Sequence, residues 1–461
     1  MVIYSMIISL GGFIFGYDIG TLGGIISSAA FRHCFGENFV NNEYQFSNIS
    51  KGILISISCF GGCIGSIFNI YIIKFGGLKF AMFFFSITYA FGDLVILSAG
   101  NWITALLGRF LIGMACGGNC TVCPMYISVL APSKHRGLFV SLMQLLTTVG
   151  IVIGSLSLYY STSSYFILDK AVYQLPIIEG CSFACLSFSL IWLVPDSPQQ
   201  NALTVRNSNS NSNSNSNANS DSDSDLSKDV NDMLPGEKGK IAHNQQHSNF
   251  QISTYFYYIT TGIAVFGFQQ FSGINYFFYY GTTIFSKIKL NSSYLVPVIF
   301  GIVNFAFSLI SLISTSNYKR RSILLFGSGL MFVVMIIFST VGLFAQDTFI
   351  GSMILIISSC IFISIFSVSW GPMAGVIISE LYPLTIKVTA MSICGSMSWA
   401  FNFLISVLVP TISEYLGFGL GYIFAFFLFI SIIFVLKMLP ETKNLDSNSL
   451  DQLYKAKETE I

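Results

Sequence analysis

Ser322-Ile323-Leu324-Leu325-Phe326-Gly327-Ser328-Gly329-Leu330-Met331-Phe332-Val333-Val334-Met335-Ile336-Ile337-Phe338-Ser339-Thr340-Val341-Gly342-Leu343-Phe344 contains no charge and directly follows Lys319, Arg320 and Arg321. A spanning helix needs about 20 apolar residues, so this stretch reads as a membrane crossing with its basic end held in water. Working outward, comparable stretches cover 2–26, 53–73, 79–98, 102–127, 138–160, 177–194, 253–285, 294–314, 349–380, 388–411 and 419–438. Together they make twelve crossings. Only 9% of the 461 residues are charged and 53% are apolar, whereas a soluble domain carries roughly 25% charge. A soluble enzyme, a nucleic-acid binder and a secreted disulfide scaffold are thereby excluded. The net charge of +1 implies no strongly acidic or basic partner.

The first crossing begins almost at Met1, with neither a basic flank nor a small-residue cleavage site, so no cleaved signal peptide is expected. Most cysteines lie inside apolar runs. Cys116, Cys120 and Cys123 share one helical face, where a soft-metal site and small-residue helix packing are the alternatives. Packing is expected, with no metal and no cofactor. His33, His135, His243 and His247 fall in connecting segments, so none is expected to relay protons or bind haem. No nucleophile with a base and no phosphate loop is present, and no enzymatic chemistry is expected.

Placing the even-numbered connections inside puts most Lys and Arg, including Lys74, Lys79, Lys134, Arg136, Lys319, Arg320, Arg321 and Lys387, on the cytoplasmic side. That bias orients the chain with both termini cytoplasmic. The sequons at Asn48 and Asn291 then lie outside, where glycosylation is available. A third, at Asn119, lies within a crossing and should be unused.

Between crossings six and seven the chain is polar from about Gln199 to Asn249, with alternating Asn-Ser and Asp-Ser over 207–225. Such composition buries too little apolar surface to order itself. It reads as a linker, with a phosphorylated regulatory tract as the alternative. The expected organisation is an all-α membrane protein of twelve transmembrane helices in two six-helix halves. The N-terminal half covers 1–194, the cytoplasmic linker 195–252, the C-terminal half 253–438, and a short cytoplasmic tail 439–461.

Motifs along the chain carry a resemblance. Gly12-Phe13-Ile14-Phe15-Gly16-Tyr17-Asp18 stands in crossing one, and Gly108-Arg109-Phe110-Leu111-Ile112-Gly113 in crossing four, followed by Pro124-Met125-Tyr126-Ile127-Ser128. Pro195-Asp196-Ser197-Pro198 closes the first half. Gln269-Gln270-Phe271-Ser272-Gly273-Ile274-Asn275-Tyr276-Phe277-Phe278-Tyr279-Tyr280 marks crossing seven. Trp370-Gly371-Pro372 and Pro440-Glu441-Thr442-Lys443 complete the set. In order and spacing the chain resembles the sugar porter family of the major facilitator superfamily, and within it the fungal hexose transporters. The resemblance implies the major facilitator fold, with solute held midway between two halves that rock about it.

By that resemblance Gln144, Gln269, Gln270, Asn275, Asn304 and Asn402 stand where the family holds its sugar. The chemistry fits. A carboxamide offers two donors and an acceptor to hydroxyls that do both, and it costs less to bury than a charge. Interhelical hydrogen bonding is the alternative role for each. Tyr279 and Tyr280 resemble the family's external gate. Asp18 and Arg109 read as a mutual ion pair, with a proton site at Asp18 as the alternative. For Asp93, which has no evident partner, a solvent-facing place near a crossing's end is expected.

Departures from the family pattern concern charge and the pocket. The loop Ile73-Lys74-Phe75-Gly76-Gly77-Leu78-Lys79 lacks the family's acid, Val129 stands for a glutamate, Gln199 for an arginine and Ser316 for an acid. Arg136, Arg320 and Arg321 remain, and Glu380 with Lys387 preserves an acid–base pair in the second half. These cytoplasmic gating charges are fewer than usual, so a weakened outward-facing state is expected. Gly375 replaces a pocket tryptophan, leaving room for a larger solute, with Trp399 as partial substitute.

The expected function is transport of a glucose-like hexose by facilitated diffusion in the plasma membrane. A non-transporting sensor or decayed paralogue, and a sugar/proton symporter, are the alternatives. The expected partners are a small-molecule sugar and the lipid bilayer, with no nucleic acid; a monomeric state is left open.

Overall fold

The computed structural model describes residues 1–40, 43–163, 170–196, 252–278, 295–445 and 447–460. These are almost wholly helical. The first half comprises α1 (Val2–Ile8), α2 (Leu10–Ser27), α3 (Ala29–Phe35), α4 (Asn48–Leu97), α5 (Trp102–Leu130), α6 (Arg136–Ser163) and α7 (Ala171–Leu190). The second comprises α8 (Ile252–Phe271), α9 (Leu295–Asn317), α10 (Arg320–Phe344), α11 (Phe349–Val368), α12 (Trp370–Leu381), α13 (Leu384–Leu416) and α14 (Leu420–Lys437). A final helix, α15 (Ser447–Glu460), follows.

Among the described residues, nine helical stretches are long and apolar enough to cross a membrane. Two of them hold two crossings each. α4 turns back at Gly77, whose φ of 78° lies in the left-handed region that glycine enters at little cost. Both arms then flank α5, Gly61 of the first lying against Phe110 and Gly92 of the second against Ile112. The stretch Leu384–Lys437 turns at Gly417, φ 53°. Crossing seven is α8, outside those nine, which brings the architecture to the twelve expected.

Short polar side chains start α4, α5 and α11. Ser47 accepts from Ser50 N at 3.1 Å, Asn101 from Thr104 N at 2.9 Å and Thr348 from Gly351 N at 3.0 Å, each giving an acceptor to an amide that the helix leaves unpaired. Large apolar side chains such as Phe326, Phe344 and Phe349 point outward, as a lipid solvent requires. Small and hydroxylated residues stand among the buried aromatic and aliphatic side chains, because hydrocarbon provides no hydrophobic drive between helices and close packing must hold them. Gly16 of α2 rests on the Thr147 backbone of α6, and Gly150 of α6 rests on Phe13.

Contacts between the halves run along α6 with α9, where Ser141 Oγ donates to Thr315 Oγ1 at 3.2 Å and Thr148 meets Ser308 at 2.9 Å. They also run along α4 with α13, where the Cys63 thiol lies 3.0 Å from Ser396 Oγ. Three features were not foreseen. Crossing one is broken at Ser9. The connection between crossings one and two holds α3 and a hairpin of β1 (Asn38–Val40) with β2 (Glu43–Gln45), Phe39 opposite Tyr44. The tail is the helix α15, docked by Tyr454, which is fully buried, stacks on Tyr258 at 4.3 Å between ring centroids and donates to Leu381 O.

Candidate functional site

Two breaks in crossings shape the space between the halves. α8 ends at Phe271, and Gly273 (φ 91°) turns the chain into a further helical segment over 274–278. Crossing ten breaks at Ser369, between α11 and α12. The break is anchored by Trp370, whose Nε1 donates to Ser328 Oγ at 2.9 Å.

A cavity of about 150 Å³ lies between these breaks and α6, lined by Gln144, Gln269, Gln270 and Asn402 together with Phe15 and Trp399. No charged side chain among the described residues lines it. It is smaller than the ~300–1,000 Å³ pockets of drug-sized ligands. Gln269 Nε2 donates to Trp370 O at 2.9 Å and Gly371 O at 3.2 Å, so its oxygen is the acceptor left for a solute. Gln270 Nε2 donates to Ser398 Oγ at 3.1 Å. Asn275 Nδ2 donates to both Gln270 Oε1 at 2.8 Å and Asn402 Oδ1 at 3.1 Å. Gln144 reaches in from the first half, close to Gly371.

Trp399 packs edge-on to Phe15, 5.3 Å between centroids, and covers Gly62, where any Cβ would strike its ring. A Cβ at Gly375 meets nothing within 4 Å, so the place of the missing ring is open. Asn304 is not part of this lining; its Oδ1 accepts from Ser367 Oγ at 2.6 Å. Cys120 lines the cavity, whereas Cys116 and Cys123 are buried; no metal-binding cluster occurs among the described residues. Tyr279, Tyr280, Asn291 and Gln199 lie outside the described residues. Asn48 opens α4, and Ser50 of its sequon donates to Glu37 at 2.6 Å.

Arg109 of α5 meets Asp18 of α2 in a two-point ion pair, Nη1–Oδ1 2.6 Å and Nη2–Oδ2 3.1 Å. Asp93, expected to face solvent, is instead 3% exposed, and its Oδ2 has no hydrogen-bond partner among the described residues. Only a small cavity separates it from that pair. α4's second arm is packed between neighbours on both sides, so a position near its end is still interior. Tyr17, read only as part of a motif, donates to Pro176 O at 2.8 Å and Glu179 Oε2 at 2.9 Å, tying α2 to α7.

Where the start of α10 meets the end of α12, the expected Glu380–Lys387 pair is replaced. Glu380 Oε1 accepts from Arg320 Nη2 at 2.9 Å and Oε2 from Arg320 Nε at 3.3 Å. A planar guanidinium matches a carboxylate at both oxygens and a lysine does not. Thr442 adds a bond to Oε2 at 2.8 Å. Glu441 accepts from the backbone N of Arg320 and of Arg321 at 3.0 and 3.3 Å, capping α10, whose N-cap Lys319 makes no side-chain bond of its own. Pro440-Glu441-Thr442 is thus a clasp from the end of α14 onto α10. The first half has a weaker counterpart, in which Tyr126 donates to Pro195 O at 2.7 Å and Lys79 lies 3.5 Å from Asp196. Arg321 donates to Leu436 O at 2.8 Å. Val129 packs against the apolar core, where an ionised glutamate would need a partner.

Residues 4–454 match the family described as Sugar (and other) transporter. The chain is 32% identical to the hexose transporter HXT14 of Saccharomyces cerevisiae, covering 98% of this chain and 88% of that one. It is 30% identical to hexose transporter 2 of Kluyveromyces lactis, covering 98% and 82%. Among solved structures, the proton:xylose symporter XylE bound to 6-bromo-6-deoxy-D-glucose superposes with a TM-score of 0.80 at 21% identity, covering 98% of both chains. Inward-open XylE from E. coli superposes at 0.71 with 21% identity, covering 97% and 98%. These establish the major facilitator fold; with the family match and the yeast relatives, they lead to one conclusion. The chain belongs to the family of sugar transporters.

Proposed function

We propose that this chain carries a hexose across the plasma membrane by facilitated diffusion, with both termini in the cytoplasm. The observation that carries the reading is the uncharged, carboxamide-lined cavity between the two halves. Sugar hydroxyls both donate and accept. Of the lining carboxamides Gln144, Gln269, Gln270 and Asn402, Gln269 offers its oxygen and Gln270 the amide N–H not taken by Ser398. Asn275, outside the lining, holds Gln270 and Asn402 in fixed directions. Binding there needs no ion, because no charge has to be neutralised. Support also comes from relatives named as hexose transporters. The rocking of the halves would open the cavity to each side in turn. The deciding experiment is uptake of labelled hexoses, pentoses and polyols into cells lacking their own hexose carriers, with and without a protonophore. Saturable hexose uptake that the protonophore leaves unchanged is expected; loss of uptake with the protonophore would favour symport instead.

A second reading, sugar binding without flux, is favoured by one observation. Among the described residues Arg136 and Lys387 at the cytoplasmic ends join no ion pair, which bears on whether the halves can complete a cycle. Binding with normal affinity and no uptake would select it.

A further inference from the structure

Arg136 and Lys387 are two cations on opposite halves that join no ion pair among the described residues. Arg136 opens α6 and its Nε is buried without a hydrogen-bond partner. Lys387, in the first turn of α13, is only 3% exposed. The charged groups facing the Lys387 ammonium are Arg136 and Glu380, and Glu380 also faces Arg136. Glu380, however, already accepts two hydrogen bonds from Arg320 and one from Thr442.

Closure of the cytoplasmic side therefore gathers three cations around one carboxylate. Gly137, next to Arg136, lies directly on the Arg320 guanidinium, so the halves are in contact here and the cations cannot spread apart. A buried charge without a counter-charge is among the most costly arrangements in a protein. The N-terminus of α13 adds to the positive potential, since Pro383 gives it no side-chain cap and its first amides point outward.

We propose that a phosphate-type oxyanion from the cytoplasm binds between Arg136 and Lys387 and holds the cytoplasmic side of the carrier closed. A tetrahedral oxyanion suits the pair, offering two oxygens to the guanidinium fork and another to the ammonium. Because the two residues belong to different halves, the anion is an inter-half clamp, and its loss favours opening. The function of the clamp rests on the alternating-access reading; the binding site does not. The same chemistry is offered by free phosphate and by a phosphorylated lipid headgroup.

The test uses the full chain in nanodiscs of neutral lipid, following thermal stability and hydrogen exchange over 136–141 and 384–388. One arm adds inorganic phosphate against chloride at equal ionic strength; the other adds a phosphatidylinositol phosphate to phosphate-free discs. Saturable stabilisation with slowed exchange is expected in at least one arm, and the responding arm identifies the source. R136Q and K387M should each weaken the apparent affinity by at least about tenfold, and K387R should retain the response. No response in either arm, or an equal response in R136Q and K387M, would overturn the proposal. Glucose binding measured in the same discs separates the two readings. An anion response without sugar binding overturns the transport reading alone, and sugar binding without an anion response overturns this one alone.

Discussion

Asn275 donates from Nδ2 to Gln270 Oε1 at 2.8 Å across the turn at Gly273. The turn is what lets residues five apart in sequence meet side chain to side chain. By also donating to Asn402, Asn275 joins crossing seven to crossing eleven and fixes the direction of two carboxamides before any solute arrives. Groups already held in their bound orientation lose little entropy on binding.

Gln270→Ala removes one such carboxamide and strands the donor of Asn275. A lost hydrogen bond with an unsatisfied buried partner costs about 1–3 kcal/mol, so sugar affinity should fall roughly tenfold. Concentration-dependent uptake measures it, and an unchanged half-saturation would place Gln270 outside the sugar contact.

Gly273→Ala acts through the backbone. With φ at 91° and the Phe424 ring against the position a Cβ would take, alanine is strained twice, at about 1–3 kcal/mol for the backbone alone. Thermal unfolding should shift down and sugar affinity should fall with it, since Asn275 loses its register. Wild-type stability in this variant would contradict the role given to the turn.

Gly375→Trp fills open space without displacing any neighbour at the Cβ. An aromatic face over the sugar is worth about 1 kcal/mol, so glucose should bind roughly fivefold more tightly. Bulkier sugars should be excluded more strongly, as read by competition against labelled glucose.

Arg109→Gln leaves the buried Asp18 carboxyl without its counter-charge. Breaking a buried pair from one side costs about 3–5 kcal/mol, whereas removing both partners is far milder. The double variant D18N/R109Q should therefore melt above R109Q alone. Equal melting of single and double variants would show that the pair carries little coupling.

Much of this architecture is legible in the chain because a bilayer imposes length. Uncharged runs such as 322–344 have few alternatives to a crossing, and a run of that kind recurs often enough to count the helices. Tertiary partners are less legible. Glu380 pairs with Arg320 rather than Lys387, because the choice depends on where two helix ends meet, and guanidinium geometry then prevails. Asp93 reads as a residue near a helix end, yet the neighbouring α5 and α7 enclose it. The clasp of Glu441 on α10 is invisible in sequence, since its donors are backbone amides more than a hundred residues away. Gly375 is the converse case, where one absent side chain foretells the open space found there.

The most direct measurement is the initial rate of labelled glucose uptake into cells lacking endogenous hexose carriers, comparing wild type, Gln270→Ala and empty vector at equal surface expression. Saturable uptake by the wild type, shifted roughly tenfold toward higher glucose in Gln270→Ala, is the result expected of a carboxamide sugar site. Wild-type uptake no faster than empty vector, with the protein present at the surface, would contradict it.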